Sequence, residues 1–154
     1  MMDMKFKNKS RPSYAFLRIV SKTMDIDKKA RYFGTDQPLY EAEIHMLNAI
    51  KENEGIHVTG LADILGVTKG AVSQTLMKLQ RKGMIVKETD PANLSRLTLK
   101  LTPKGETAYL SHEELHRKYE KVFSDILADY PETNKAFLRS FFSMLEEKLD
   151  KFME

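Results

Sequence analysis

The sequence contains no cysteine among its 154 residues, which excludes disulfide bonds and thiol chemistry. A sensor that detects peroxide through a cysteine is therefore excluded as well. No apolar run reaches the roughly 18 residues that a helix needs to span a bilayer, so we expect no membrane partner. Residues 1–11 lack the apolar stretch of a secretory signal, and we expect a cytoplasmic protein.

Motifs for enzyme chemistry are also missing. The sequence has no glycine-rich phosphate loop and no serine-centred nucleophile motif. The carboxylate pairs Glu113–Glu114 and Glu146–Glu147 are adjacent on predicted helices, so the two members of each pair point in different directions. We therefore expect that the protein is not an enzyme and requires no cofactor.

Positive charge is concentrated in one part of the chain. The whole sequence carries +3, whereas residues 59–106 contain eight basic and four acidic residues and so carry +4. The basic residues of this segment are Lys69, Lys78, Arg81, Lys82, Lys87, Arg96, Lys100 and Lys104. Such a local excess is typical of a phosphate-binding surface, although a merely solvated face is the alternative.

The same segment has the pattern of a helix-turn-helix followed by a hairpin. Ala62, Gly66 and Val72 provide a small residue where two helices touch, a glycine for the turn and an apolar residue that locks the pair. Thr59 and Thr68 are the predicted caps of the two helices. Two strands, Ile85–Thr89 and Leu97–Leu101, are then joined by turn residues at 90–93.

Longer amphipathic helices flank this module. They are predicted over Ser13–Lys29, capped by Ser13, and over Tyr40–Lys51, Pro103–Tyr130 and Glu132–Met153. The last helix carries Phe137, Phe141, Leu145 and Leu149, a stripe too apolar to face water, and we expect it in a two-fold interface. The predicted fold is mainly α with a small β wing, divided into an N-terminal arm and dimerisation helix (1–38), a winged helix-turn-helix (39–109) and C-terminal dimerisation helices (110–154).

The second helix of the motif is the predicted DNA-reading element. With Val72 facing the core, Gln74 lies on the opposite face, where its amide can pair with an adenine edge. We expect Gly70 to allow close approach of the backbone. The predicted phosphate contacts are Thr68, Lys69, Ser73 and Lys78. The alternative is a helix-turn-helix used only for packing.

Three stretches of the chain resemble the MarR family of bacterial and archaeal regulators. They are Leu61-Ala62-x-x-Leu65-Gly66-Val67-Thr68, then Val72-Ser73-x-x-Leu76-x-x-Leu79 with Lys82-Gly83, and Leu101-Thr102-Pro103-Lys104-Gly105. The resemblance implies a homodimer that binds double-stranded DNA at a pseudo-palindromic operator, acts as a repressor, and is released or tuned by a small-molecule or metal effector. A winged module that contacts proteins and not DNA is the alternative.

The predicted wing departs from the family pattern. The family usually has an aspartate followed three residues later by Asp-Arg-Arg, whereas this chain has Asp90 followed by Asn93, Leu94 and Ser95. An arginine, Arg96, follows one position late. The resemblance implies that Arg96 makes the family's minor-groove contact, and a wing that binds DNA more weakly is the alternative.

Histidine and aromatic residues are candidates for an effector site. His112 and His116 share one helix face, and the resemblance to zinc-responsive members adds His45, so the three could bind zinc or another divalent metal. A structural hydrogen-bonded cluster is the alternative. A second candidate is a pocket for an apolar or phenolic effector, lined by six aromatic residues that could instead form the dimer core. The six are Tyr14, Phe16, Tyr32, Phe33, Tyr119 and Phe123.

Overall fold

The computed structural model describes residues 11–90 and 92–152, which form six helices and one two-stranded antiparallel sheet. This is the predicted class, mainly α with a small β wing. The elements in chain order are α1 (Pro12–Ala30), α2 (Glu41–Glu52), α3 (Val58–Leu65), α4 (Lys69–Arg81), β1 (Ile85–Asp90), β2 (Asn93–Leu101), α5 (Pro103–Leu127) and α6 (Glu132–Asp150). Within the described ranges no helix is long and apolar enough to cross a membrane.

The chain forms two compact units, one ending at His112 and the other beginning at Glu113, so that α5 runs from one into the other. The core of the first unit is the winged module. It is built from apolar side chains that recur every three or four residues on three helices and that alternate along the hairpin. Its largest fully buried members are Leu47, Ile50, Leu61, Leu76, Leu79, Met84, Leu99 and Val72.

The helix-turn-helix has the predicted geometry. Gly66 ends α3 in the left-handed conformation, with φ of 64°, and its N–H bonds to the carbonyl of Ala62. Val72 on α4 is fully buried, and Thr68 caps α4 by accepting a hydrogen bond from the N–H of Ala71 at 3.2 Å. The turn therefore fixes the angle at which α4 leaves the module.

Some predicted boundaries were wrong. Arg11, and not Ser13, is the N-cap residue of α1, because Pro12 occupies the first helical position, where its missing N–H costs nothing. His57, and not Thr59, is the N-cap residue of α3. Strand β2 begins at Asn93, four residues before the predicted start, because Asn93 pairs with Asp90 across the turn. Helix α5 ends at Leu127 and is followed by a turn before Pro131.

Helices α1 and α6 bury no residue within the single chain. Helix α6 nevertheless carries Phe137, Phe141, Phe142 and Leu149, all of which are exposed. Large apolar side chains in such a row are uncommon on the surface of a monomeric protein. The predicted division into residues 1–38, 39–109 and 110–154 stays a prediction.

Candidate nucleic-acid interface

Helix α4 presents one face to the core and the other to solvent. Val72, Leu76 and Leu79 point inward and are buried. The predicted DNA-contacting residues of this helix and its cap are all exposed, namely Thr68, Lys69, Gly70, Ser73, Gln74 and Lys78. The geometry therefore brings these six residues together on one solvent-facing surface, which we call the α4 surface.

The first turn of α4 offers hydrogen-bond donors to an anion. The N-terminal N–H groups of a helix point outward and carry partial positive charge. Thr68 Oγ1 accepts the N–H of Ala71, so its own hydroxyl proton stays available for donation. Lys69 follows directly and is exposed. A phosphate oxygen seated at this helix end would receive both main-chain and side-chain donors.

Ion pairing separates the basic residues of the module into two groups. Lys82 pairs with Glu43, Lys100 with Glu88, and Lys104 with Asp36. In the part of the chain that the structure describes, the ammonium groups of Lys69 and Lys78 make no such ion pair. The positive charge of the α4 surface is therefore uncompensated, whereas several neighbouring cations are paired with carboxylates of the chain.

Lys82 and Glu43 form a largely buried ion pair that the sequence did not predict. Lys82 Nζ lies 2.7 Å from both carboxylate oxygens of Glu43 and 2.7 Å from the carbonyl of Pro38. The Glu43 carboxylate also accepts the N–H of Tyr40 at 2.9 Å, and the Tyr40 ring lies 5.3 Å from Lys82 Nζ. Lys82 is the C-cap residue of α4, so this ion pair links the end of α4 to the start of α2.

The wing is held to the helix-turn-helix through His57. Its Nδ1 donates to the carbonyl of Leu97 at 3.0 Å, and its Nε2 lies 3.6 Å from Asp90 Oδ2. The other oxygen of Asp90 accepts the N–H of Ala92 at 2.8 Å and closes the turn. Leu94, directly after the turn, is 81% exposed. Arg96 lies within β2, but its side chain falls outside the described part of the chain, and its predicted role stays a prediction.

The predicted metal ligands are only partly brought together. The rings of His45 and His112 lie 6.2 Å apart between centroids. His112 is buried, with its Nδ1 3.0 Å from Asn48 Nδ2 and its ring against the edge of Phe33. No group of three or more potential ligands arranged to hold a metal occurs in the described ranges. The histidine–metal site therefore gains no geometric support, and the contacts of His112 match the alternative of a hydrogen-bonded cluster.

A small, open cavity lies beside α4. It has a volume of about 200 Å³ and is largely apolar. Its walls come from α2, from the end of α3 and the turn that follows it, and from the flank of α4, and they include Met46, Val67, Ala71 and Thr75. His45 lies at its edge. Of the six aromatic residues predicted to form a pocket, none lines this cavity.

Comparison with known proteins agrees with this architecture. The sequence profile of the MarR family matches residues 39–93, which contain the helix-turn-helix and the start of the wing. This segment is similar to the MarR family. The match confirms the resemblance carried by the motifs around Gly66 and Lys82, and it agrees with the prediction that the protein is not an enzyme, because the similar proteins are transcriptional regulators.

Two relatives extend the similarity beyond the matched region. The HTH-type transcriptional regulator YhjH of Bacillus subtilis is 29% identical over 134 residues, which are 87% of this chain and 74% of YhjH. The HTH-type transcriptional regulator PchR of the same organism is 26% identical over 113 residues, 73% of this chain and 67% of PchR. The chain is thus similar to transcriptional regulators over most of its length.

Solved structures share the fold. The MepR–DNA complex of S. aureus has a TM-score of 0.66 at 22% identity and covers 88% of this chain and 98% of MepR. FabT of Streptococcus pneumoniae in complex with DNA also has a TM-score of 0.66, at 20% identity, and covers 90% of this chain and 96% of FabT. The winged helix-turn-helix architecture is therefore that of known MarR-family proteins.

Proposed function

We propose that this chain is a MarR-family regulator that represses transcription by binding duplex DNA as a homodimer, with α4 in the major groove. The observation that carries the proposal is the α4 surface, where exposed polar and uncompensated basic residues lie together on one helix. Gln74 lies in the middle of this surface and can read an adenine edge, whereas Lys69 and Lys78 lie before and after it on the helix and can contact phosphates.

A random-sequence duplex library tests the proposal directly. Selection followed by fluorescence anisotropy should yield a pseudo-palindromic site whose half-sites lie about one helical turn apart. Gln74→Ala should relax base preference at one position of each half-site by about 1–3 kcal/mol. Lys78→Ala should weaken binding to all sequences and reduce the salt slope by about one.

Lys121→Ala is the matched control for Lys78→Ala. It also removes one positive charge, but Lys121 lies in the second unit and is already paired with Asp125. We expect its DNA affinity and salt slope to equal those of the wild type. A protein that selects no sequence and shows no salt-dependent binding to duplex DNA would contradict the proposal and would favour a winged module for protein contacts.

The proposed dimer rests on the apolar face of α6. Because Phe137 and Phe141 are exposed in the single chain, a second copy of this face gives them a partner by two-fold symmetry. Light scattering should give a mass about twice the 17.8 kDa of one chain. A double substitution, Phe137→Glu with Phe141→Glu, should yield monomers, whereas Lys78→Ala should leave the dimer intact.

The proposed effector site is the open cavity beside α4. A small apolar or phenolic molecule in a space of about 200 Å³ would push on Ala71 and Thr75 of the DNA-reading helix. Ala42→Leu would fill the cavity from α2 and leave the α4 surface unchanged. The variant should bind DNA but should no longer respond to small phenols that release the wild-type protein. An equal response of both proteins would place the effector elsewhere.

A further inference from the structure

The tip of the wing carries an apolar side chain where the MarR pattern places an arginine. Leu94 is the second residue of β2, directly after the turn that pairs Asp90 with Asn93. Its side chain is 81% exposed, more than any other large apolar residue in the described chain except Phe152. A leucine exposed beside the turn of a hairpin is stabilised by burial only when another molecule covers it.

The turn below Leu94 is fixed by contacts that do not involve DNA. Asp90 closes the turn through the N–H of Ala92, and His57 holds Asp90 and the carbonyl of Leu97 at the same time. His57 is the N-cap residue of α3, so these contacts tie the wing to the helix-turn-helix. These contacts hold the residues on both sides of Leu94 before binding, which lowers the entropic cost of any contact that Leu94 makes.

We propose that Leu94 is a direct minor-groove contact of the wing, and that it makes the protein prefer A·T pairs there. The inference rests on the proposed DNA binding through α4. Minor-groove proteins insert apolar side chains as wedges between base steps, next to the base edges that form the floor of the groove. A G·C pair adds the guanine 2-amino donor to the floor of this groove, and a leucine side chain would strip that donor of water without replacing its hydrogen bond.

Salt dependence distinguishes an apolar contact from the cationic contact of the family pattern. Leu94→Ala should raise the Kd for the selected duplex about tenfold, by loss of apolar burial, and should leave the slope of log Kd against log salt unchanged. Leu94→Arg should restore affinity at low salt and steepen the slope by about one. Val86→Ala is the control, because Val86 is an exposed apolar residue of β1 near the other end of the hairpin. It should bind like the wild type.

Base substitution in the minor groove gives a second readout. The base pairs next to each half-site are replaced by G·C or by inosine·cytosine, which resembles G·C in the major groove but lacks the 2-amino group. The wild type should lose affinity for the G·C duplex and recover it on the inosine duplex. Leu94→Ala should bind the two duplexes equally, because the side chain that meets the amino group is gone.

The outcomes separate this inference from the function on which it rests. If the wild-type protein binds no duplex, the proposed DNA binding fails. If the wild type binds and Gln74→Ala alters its base preference, but Leu94→Ala keeps the wild-type Kd, the wing contact alone is refuted. A flatter salt slope for Leu94→Ala, or an inosine duplex that binds as poorly as the G·C duplex, would also overturn the minor-groove contact.

Discussion

Replacing Lys82 with methionine should destabilise the winged module by about 3 kcal/mol, because the change leaves a buried carboxylate without its cation. The Glu43 side chain is 5% exposed and the Lys82 side chain 19%. Lys82 Nζ donates to both oxygens of Glu43 and to the carbonyl of Pro38, each at 2.7 Å. Methionine keeps the apolar length of the side chain but provides none of these donors, and the bond from the Tyr40 N–H remains.

The magnitude follows from the burial of the two partners. Removal of one member of a buried ion pair costs about 3–5 kcal/mol, and the lower end applies because water reaches the Lys82 side of the pair. For a chain of this length the loss corresponds to a fall in Tm of about 6–12 °C. Urea unfolding followed by far-ultraviolet circular dichroism measures it, at one fixed protein concentration because assembly adds to stability.

Two variants control the interpretation. Lys78→Met makes the same change at an exposed position of α4 and should shift the free energy of unfolding by no more than about 0.5 kcal/mol. Combining Lys82→Met with Glu43→Gln removes both charges and should recover part of the loss. A Lys82→Met protein as stable as the wild type, with the same m-value, would refute the argument that this pair stabilises the end of α4.

Three further predictions follow from individual contacts. Gly105→Ala should cost about 3 kcal/mol of unfolding free energy, measured in urea, because a Cβ there would lie 2.1 Å from the Met84 carbonyl oxygen, which already accepts the N–H of Thr102. The hydrogen bond from Lys104 holds the pKa of Asp36 below its ordinary value, so this contact stabilises the fold near neutral pH and is lost as the pH falls through that lowered pKa. The urea midpoint of the Asp36→Asn variant should therefore decrease less steeply than that of the wild type as the pH falls below about 4. Gly70→Ala should raise thermal stability and lower DNA affinity.

The helix-turn-helix was predictable because its signals are local. Thr68 caps the helix that it precedes, and Gly66 supplies the left-handed turn that few other residues tolerate. Val72 lies one turn into α4, where helical spacing alone turns it toward the core. Each of these features depends on neighbours within a few residues, so the sequence pattern was sufficient to place α4 and its exposed face.

The contacts that orient the module join residues far apart in sequence, and no spacing rule could find them. Lys82 and Glu43 are separated by 39 positions, and His57 and Leu97 by 40. The error at Thr59 has the same origin, because hydroxyl residues favour caps but His57 takes the N-cap position of α3 and contacts β2. The predicted metal site at the histidines gained no support, and here too a long-range contact is involved. His112 Nδ1 contacts the side chain of Asn48, which is distant in the sequence.

Gly70 offers a test in which stability and function change in opposite directions. It is the second residue of α4 and has no positive φ, and a Cβ there would meet nothing nearer than Thr68 Oγ1 at 3.8 Å. Alanine therefore fits and should add about 0.5–1 kcal/mol, because glycine costs that much within a helix. On the DNA side the same methyl group would separate the first turn of α4 from the phosphate or base edge it approaches, and we expect about a tenfold loss of affinity. Thermal melting and fluorescence anisotropy on one preparation measure both quantities. A variant that is more stable and binds DNA as tightly as the wild type would show that this end of α4 does not come close to DNA, and the orientation proposed for the helix would be wrong.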